Sequence, residues 1–346
     1  MAATRSLAAA PALVALVVAL AATTGPARAA DGVRHRTLFH FQDPRVLESS
    51  GLVDRGPDVA TINDSGDGPF VYVVAAATGR TVGVTTYSAG AVEDVESIAP
   101  GRHGSVWVGD TGDNTRSRDG IAVYHVPRLR PGDRTVAAPR YRLAYPDGAH
   151  DAEALLVTPG RPRVFVVTKS VFGGTVYAAP QRLRTDRVNR LRRFASVPGL
   201  VTDGSFLPDG RHVLLRTYGT ASAYTFPGFH LVGTVTLPAQ PQGEGISVGR
   251  HGRILVSSEG ERSAVLEVHL PAGLGQRLSG TRPDAPLPST VQTSKPPVHD
   301  NPASSADHDR GLRFRGGVGV VLAALAMAAL GYLTLRGARR RGPRRR

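Results

Sequence analysis

Between about residues 46 and 270 the apolar positions fall in short runs, each closed by glycine, proline, aspartate or asparagine. Such runs lie at 71–75, 106–109, 121–126, 163–168, 212–217, 253–257 and 264–269. They are rich in valine, isoleucine, threonine and aromatic residues, and none carries the 3.6-residue apolar period of an amphipathic helix. The pattern predicts many short strands separated by turns. A sandwich, a barrel or a propeller would each satisfy it.

A repeat chooses among them. ESSGLV begins at Glu48, ESIA at Glu96, EALLV at Glu153, DGSFL at Asp203 and EGISV at Glu244. The intervals are 48, 57, 50 and 41 residues, close to the period of a four-stranded propeller blade. The clearest copy, 92–114, reads VEDVESIAPGRHGSVWVGDTGDN. Each leading acid is followed 13 to 16 residues later by a second charge: Asp64, Asp110, Lys169, Arg216 and Glu259. An antiparallel hairpin returns its second strand to the start of its first. If the first strand of each blade lines the channel, all ten residues converge on one mouth.

The expected fold is therefore all-β: a β-propeller of four-stranded blades, with five blades as the first count and six, one of them merged, as the alternative. The last repeat lacks an outer strand, whereas the early run HRTLFHF at 35–41 has no partner. We expect that run to complete the last blade and close the ring, removing two open sheet edges.

Both ends of the chain read as membrane signals. Residues 1–29 carry Arg5, an apolar run and Ala27-Arg28-Ala29, the pattern of a cleaved secretory signal peptide. Residues 316–335 hold no charge and are long enough for a transmembrane helix. Seven arginines follow within 336–346, and the positive-inside rule puts that tail in the cytoplasm. Residues 274–315, rich in proline, serine and threonine, read as an extended stalk. The expectation is a single-pass surface protein with an extracellular domain over 30–273.

Charge fits that partition. The formal net charge is +14, yet residues 31–275 hold 27 basic and 24 acidic residues, which leaves +3 for the domain. The excess lies at the ends, where anionic lipid explains it better than nucleic acid does. With no cysteine, the domain has neither disulfides nor thiolate sites and depends on its hydrophobic core.

The mouth is the main chemical candidate. Glu48, Glu96, Glu153, Asp203 and Glu244, with Asp64, Asp110 and Glu259 nearby, would repel one another unless protons, cations or hydrogen bonds intervene. Lys169 and Arg216 supply part of the counter-charge, and a hard cation such as Ca²⁺ would supply more. Glu96, Asp110, Asp113, Glu153 and Glu244 are the candidate metal ligands, with Asn114 beside them. Glu96, Glu153 and Glu244 are the candidate catalytic acids. The competing reading has these acids capping backbone N–H groups and pairing with Lys169 and Arg216.

Four further features weigh less. The segment 63–68, NDSGDG, begins like a calcium loop but has Val74 where the bidentate acid belongs, so it reads as a turn. The segment 245–249, GISVG, fits a serine-hydrolase motif, but in a strand with no helix behind it. His150, beside Asp151 and Glu153, is a candidate acid–base group or a surface turn histidine. Trp107 reads as core between blades.

Several of these segments together resemble a group of secreted or membrane-anchored bacterial propellers. The shared signatures are INDSG at 62–66, EDVESIA at 93–99, VGDTGDN at 108–114 with Arg118, EAL at 153–155, TK at 168–169, the stretch 208–218 and QGEGI at 242–246. The likeness covers roughly 45–270 and shares features with phytase-like, TolB-like and WD-repeat-like propellers. It implies fold and location, not a reaction. Two functions follow as expectations: a binding or scaffold module for an extracellular protein, glycan or small ligand, or an extracellular hydrolase of phosphoester or glycosidic bonds using the mouth carboxylates.

Overall fold

The computed structural model describes residues 33–280, apart from 65 and 89–91. The signal peptide, the transmembrane stretch, the Arg-rich tail and the stalk beyond 280 lie outside the described residues. Among the described residues no helix is long and apolar enough to cross a membrane.

The chain enters with β1 (Arg34–His40) and then builds its sheets in order. Blade one holds β2 (Ser49–Asp54), β3 (Asp58–Asn63), β4 (Phe70–Ala75) and β5 (Thr81–Ser88). Blade two holds β6 (Val95–Pro100), β7 (Val106–Asp110) and β8 (Ile121–Val126), then β9 (Arg134–Ala137), which leaves it, and its fourth strand β10 (Arg140–Ala144). Blade three holds β11 (Ala152–Val157), β12 (Val164–Thr168) and β13 (Gly174–Ala178), then the short departing β14 (Asn189–Arg190), and β15 (Arg192–Val197). Blade four is β16 (Val201–Phe206), β17 (His212–Thr217), β18 (Thr220–Thr225) and β19 (Leu231–Thr236). Blade five is β20 (Gly243–Val248), β21 (Ile254–Ser258) and β22 (Ala264–His269), completed by β1.

The protein is thus a five-bladed propeller. β1 pairs antiparallel with β22, Arg34 opposite His269, as the unpartnered run at 35–41 predicted. Two strands stitch blades together. β9 runs parallel to β5 of the preceding blade, and β14 parallel to β10.

Five apolar clusters each span one blade-to-blade interface. Val53, Ile62, Val71 and Tyr87 of blade one meet Ile98, Val108 and Tyr124 of blade two. Leu155, Val166 and Tyr177 meet Trp107 and Val123 across the next interface. Phe165 and Val167 then face Phe206, Val213 and Phe226. Leu214 and Val235 face Ile246 and Val256, and Leu52 and Tyr72 close the circle against Leu255 and Val265. At about 1.5–3 kcal/mol for each buried Val, Leu, Ile or Phe, these interfaces replace the missing disulfides. Trp107 is indeed core between blades, stacked on His125 at 4.6 Å.

The inner strands β2, β6, β11, β16 and β20 are almost wholly buried. Small residues let them approach one another. A Cβ on Gly51 would lie 3.0 Å from both Cγ2 and the backbone N of Ile98.

One element differs from the expectation. The segment read as stalk begins with helix α1 (Ala272–Gly280), which buries Leu274 and Leu278 in the cluster between blades four and five. Only two apolar side chains one turn apart carry that helix, too few for the sequence period to reveal.

Candidate functional site

Every inner strand breaks register at the same place. The pairing skips Ser50 in β2, Glu96 in β6, Glu153 in β11, Thr202 in β16, and Glu244 with Gly245 in β20. Each is a β-bulge at the second residue of the strand, and a bulge re-aims the extra side chain. The equivalent ring is therefore Ser50, Glu96, Glu153, Thr202 and Glu244. The two hydroxyls tie neighbouring blades: Ser50 Oγ donates to the Glu96 carbonyl at 2.8 Å, and Thr202 Oγ1 to the Glu244 carbonyl at 3.0 Å.

The second ring follows the ends of β3, β7, β12, β17 and β21: Asp64, Thr111, Lys169, Tyr218 and Glu259. A third tier precedes the inner strands: Glu48, Asp94, Asp151, Leu200 and Gln242. Backbone bonds join the tiers, with Asp64 N donating to Glu48 O at 2.9 Å, Gly112 N to Asp94 O at 3.2 Å, Lys169 N to Asp151 O at 2.9 Å and Glu259 N to Gln242 O at 3.0 Å.

The structure thus redistributes the residues singled out in the sequence. Glu96, Glu153 and Glu244 share the inner ring, Asp64, Lys169 and Glu259 the second, and Glu48 stands exposed in the third. Of the other five, four do structural work. Asp203, one residue past its bulge, is buried and accepts hydrogen bonds from Gly204 N and Ile246 N, both at 2.7 Å. Arg216 is fully buried and donates to the carbonyls of Gly245 and Ser257 and to Gln240 Oε1. Asp110 holds the loop above it, accepting from Asp94 N at 3.1 Å and from the Arg118 guanidinium at 2.8 Å. Asp113 caps a turn, accepting from Ser117 N and Arg118 N at 2.9 Å, while Asn114 is exposed. The backbone-capping reading therefore holds for Asp110, Asp113 and Asp203.

Asp94 and Asp151 are the acids that the repeat did not single out. Asp94, Glu96 and Asp64 bring one carboxylate oxygen each within 4.8 Å of one another. Asp94 Oδ1 is buried without a hydrogen-bond partner, and so is Glu244 Oε2. Gly112 forms the floor: a Cβ there would overlap Asp94 Oδ2 and lie 2.7 Å from Glu96 Oε1. With glycine here the backbone packs directly under the two carboxylates, and a side chain at 112 would have to displace them.

Burial sets the electrostatics. Glu96, 3% exposed, is pushed well above the usual carboxylate range by burial and then by the charges of Glu153, Asp64 and Asp94. Burial with the nearby Asp64 and Asp151 pushes Asp94 up to about 6. Burial raises Glu244 to about 9, with Glu153 adding to it, and raises Glu259 to about 7, with Asp64 and Glu48 adding. Glu153 rises to about 8 through burial, although Lys169 Nζ lies 2.6 Å from its Oε1. The ammonium also sits 5.3 Å from the Tyr218 ring centroid. Lys169 is the one lysine among the described residues, and it is the mouth's internal counter-ion.

The lesser motifs resolve as turns and core. Asp67 accepts from Asn63 Nδ2 at 3.1 Å and from Tyr72 Oη at 2.9 Å, so its carboxylate is spent on tying Asn63 and Tyr72 together. Ser247 is buried within β20 and accepts from Asp54 N at 2.8 Å, with no helix behind it. His150 bonds Asp147 and Tyr177, each at 3.0 Å, and packs on Tyr145. None of its partners belongs to the acid rings.

No protein-family model and no curated protein matches this chain. Among solved structures it is similar to a candidate 6-phosphogluconolactonase from Bacteroides uniformis ATCC 8492. The TM-score there is 0.36 and the identity 14%, over 67% of this chain and 69% of that one. It is also similar to a glucose dehydrogenase, with a TM-score of 0.40 and 10% identity over 69% of this chain and 100% of that one. These scores carry no argument about chemistry, which rests on the mouth itself: a five-bladed propeller with a buried acidic cluster fit to hold a metal ion.

Proposed function

We propose that this propeller is a surface binding module whose channel mouth holds a divalent cation between Asp64, Asp94 and Glu96. One observation carries the reading: three carboxylate oxygens from two blades lie within 4.8 Å of one another, and the buried Asp94 Oδ1 has no partner of its own. An all-oxygen, acid-rich donor set suits a hard ion, and Ca²⁺ tolerates the irregular geometry of loop ends better than Mg²⁺ does. The ion would draw blades one and two together and fix the loops that frame the mouth. An extracellular protein, glycan or small ligand would then bind over it.

The apolar stretch 316–335 and the arginines after it support a single-pass anchor, with the propeller outside and the tail in the cytoplasm. The test is thermal unfolding of the full-length protein in chelator and in calcium. Calcium is expected to raise Tm, and Asp94→Asn to abolish the rise. No rise up to millimolar calcium would remove the proposal.

A second reading has its own observation. Glu244 is buried with its Oε2 unpartnered, and burial raises it to about 9, the protonated form that a general acid needs near neutrality. An extracellular hydrolase of phosphoester or glycosidic bonds would use that property. A chromogenic substrate panel decides it: turnover that Glu96→Gln or Glu244→Gln abolishes would favour the hydrolase over the binding module.

A further inference from the structure

The outer rim of blades two and three carries charge of the opposite sign to the channel mouth. From Arg182 to Arg193 the chain holds six arginines and one acid, Asp186. The buried amide of Asn189 gathers this stretch onto blade two. It accepts from Arg184 N at 2.8 Å and donates to the carbonyls of Arg142 and Arg184, both at 2.9 Å. β14 then pairs Arg190 with Ala144 of β10, two residues beyond Arg142. Leu191 anchors the stretch in the apolar cluster between the two blades.

The nearby acids are already engaged. Arg184 holds Asp186 through two bonds, at 3.1 and 2.9 Å, and Arg193 holds Asp147 at 2.6 Å. Arg142, Arg182, Arg187, Arg190 and Arg192 are exposed. Among the described residues none of these five guanidinium groups makes an ion pair or a hydrogen bond. Burial, and then the charge of Arg192, lowers the pKa of Arg163, so the positive field here is not neutralised.

We propose that this rim binds a linear phosphate polymer, its successive phosphates lying on Arg142, Arg187, Arg190 and Arg192. The arginines come from two outer strands, a short edge strand and a loop, and tetrahedral phosphate offers oxygens to forks that do not share a plane. One exposed contact is worth little by itself, so a single phosphate gains little here. A polymer adds such contacts and releases counterions at each. Two other phosphate-bearing partners fit less well. Val188 is the only large apolar side chain exposed in the stretch, too little to enter a bilayer. No aromatic residue lies between 181 and 193 to stack a nucleic-acid base. β10 and β14 form the outer end of their sheet, whereas β6 with Glu96 forms the inner end. The inference therefore does not depend on the metal at Asp64, Asp94 and Glu96.

The test treats full-length protein, in chelator, with phenylglyoxal, which modifies accessible arginines, and maps the sites by peptide mass spectrometry. Mapping by residue separates the rim from the arginines at 336–346. Long-chain polyphosphate is expected to protect Arg142, Arg187, Arg190 and Arg192 saturably. Orthophosphate at the same phosphate concentration should leave them reactive. Arg187→Gln with Arg190→Gln should weaken the protection of Arg142 about tenfold and lower its salt slope by about two, at unchanged Tm. Arg182→Gln with Arg192→Gln supplies a second pair should the first fail to fold. No protection, equal protection by orthophosphate, protection spread evenly over all exposed arginines, or protection unaltered in the folded variants would overturn the proposal. Stronger protection by phosphatidylglycerol vesicles or by oligothymidylate than by polyphosphate would overturn it as well.

Discussion

Lys169 Nζ lies 2.6 Å from Glu153 Oε1, and the glutamate is 4% exposed at the throat of the channel. The mouth therefore holds its own cation on blade three, while on blades one and two the carboxylates of Asp64, Asp94 and Glu96 converge within 4.8 Å of one another. Removing one member of a buried pair costs more than the pair itself contributes. Lys169→Met is accordingly expected to destabilise the fold by about 3 kcal/mol at neutral pH. The double variant with Glu153→Leu should recover much of that loss. Urea unfolding of both checks it, and equal losses in the two would show that the pair is not coupled.

Stability should also follow pH with a definite sign. Asp94, Glu259, Glu153 and Glu244 have folded values raised to about 6, 7, 8 and 9. Between the ordinary carboxylate range and those values the folded state binds more protons than the unfolded state. Their contribution is complete below the ordinary range and is lost as pH rises through each folded value. Metal-free protein should therefore lose stability steadily from about pH 5 to pH 9. Calcium should flatten or reverse that slope, because its ligands must be deprotonated. Denaturation series in chelator and in calcium measure both slopes.

Gly112 is where the backbone packs against the acids of the mouth, Asp94 and Glu96. Gly112→Ala is expected to cost about 1–3 kcal/mol by overpacking and to weaken the calcium response by displacing Asp94 and Glu96. Melting curves with and without calcium read both effects. An alanine variant with unchanged calcium affinity would show that the close approach does not shape the site.

The terminal helix makes a separate prediction. Leu274 is buried between blades four and five, and Leu274→Ala should cost about 2–4 kcal/mol. The folded body then extends through Gly280 and does not stop before Leu274. Urea midpoints equal to those of the parent protein would mean that the helix adds nothing to the fold.

The blade count and the closing strand were legible because a four-stranded unit recurs at near-constant length and the run at 35–41 had no other partner. The site was legible only in part, and the reason is the bulge. Side chains alternate along a strand, so an error of one residue turns a channel residue into an interface residue. Aligning acids with acids placed Asp203 in the ring where Thr202 belongs, and Glu48 where Ser50 belongs. It likewise selected Asp110 and Arg216, although Thr111 and Tyr218 occupy those positions. Asp94 and Asp151 carried a readable signal. Each stands two residues before a ring glutamate, in Asp94-Val95-Glu96 and Asp151-Ala152-Glu153, and period two puts both members of a pair on one side. The unpartnered Asp94 Oδ1 had no signal of that kind, since it arises from packing between blades.

Calorimetric titration of calcium into metal-stripped full-length protein shows directly whether Asp64, Asp94 and Glu96 hold a divalent ion. Saturable binding of one ion per chain in this mouth is the expected result. Protons should be released on binding, because burial holds Asp94 and Glu96 above the ordinary carboxylate range, and the heat should vanish in Asp94→Asn. No binding, or binding that Asp94→Asn leaves intact, would contradict it.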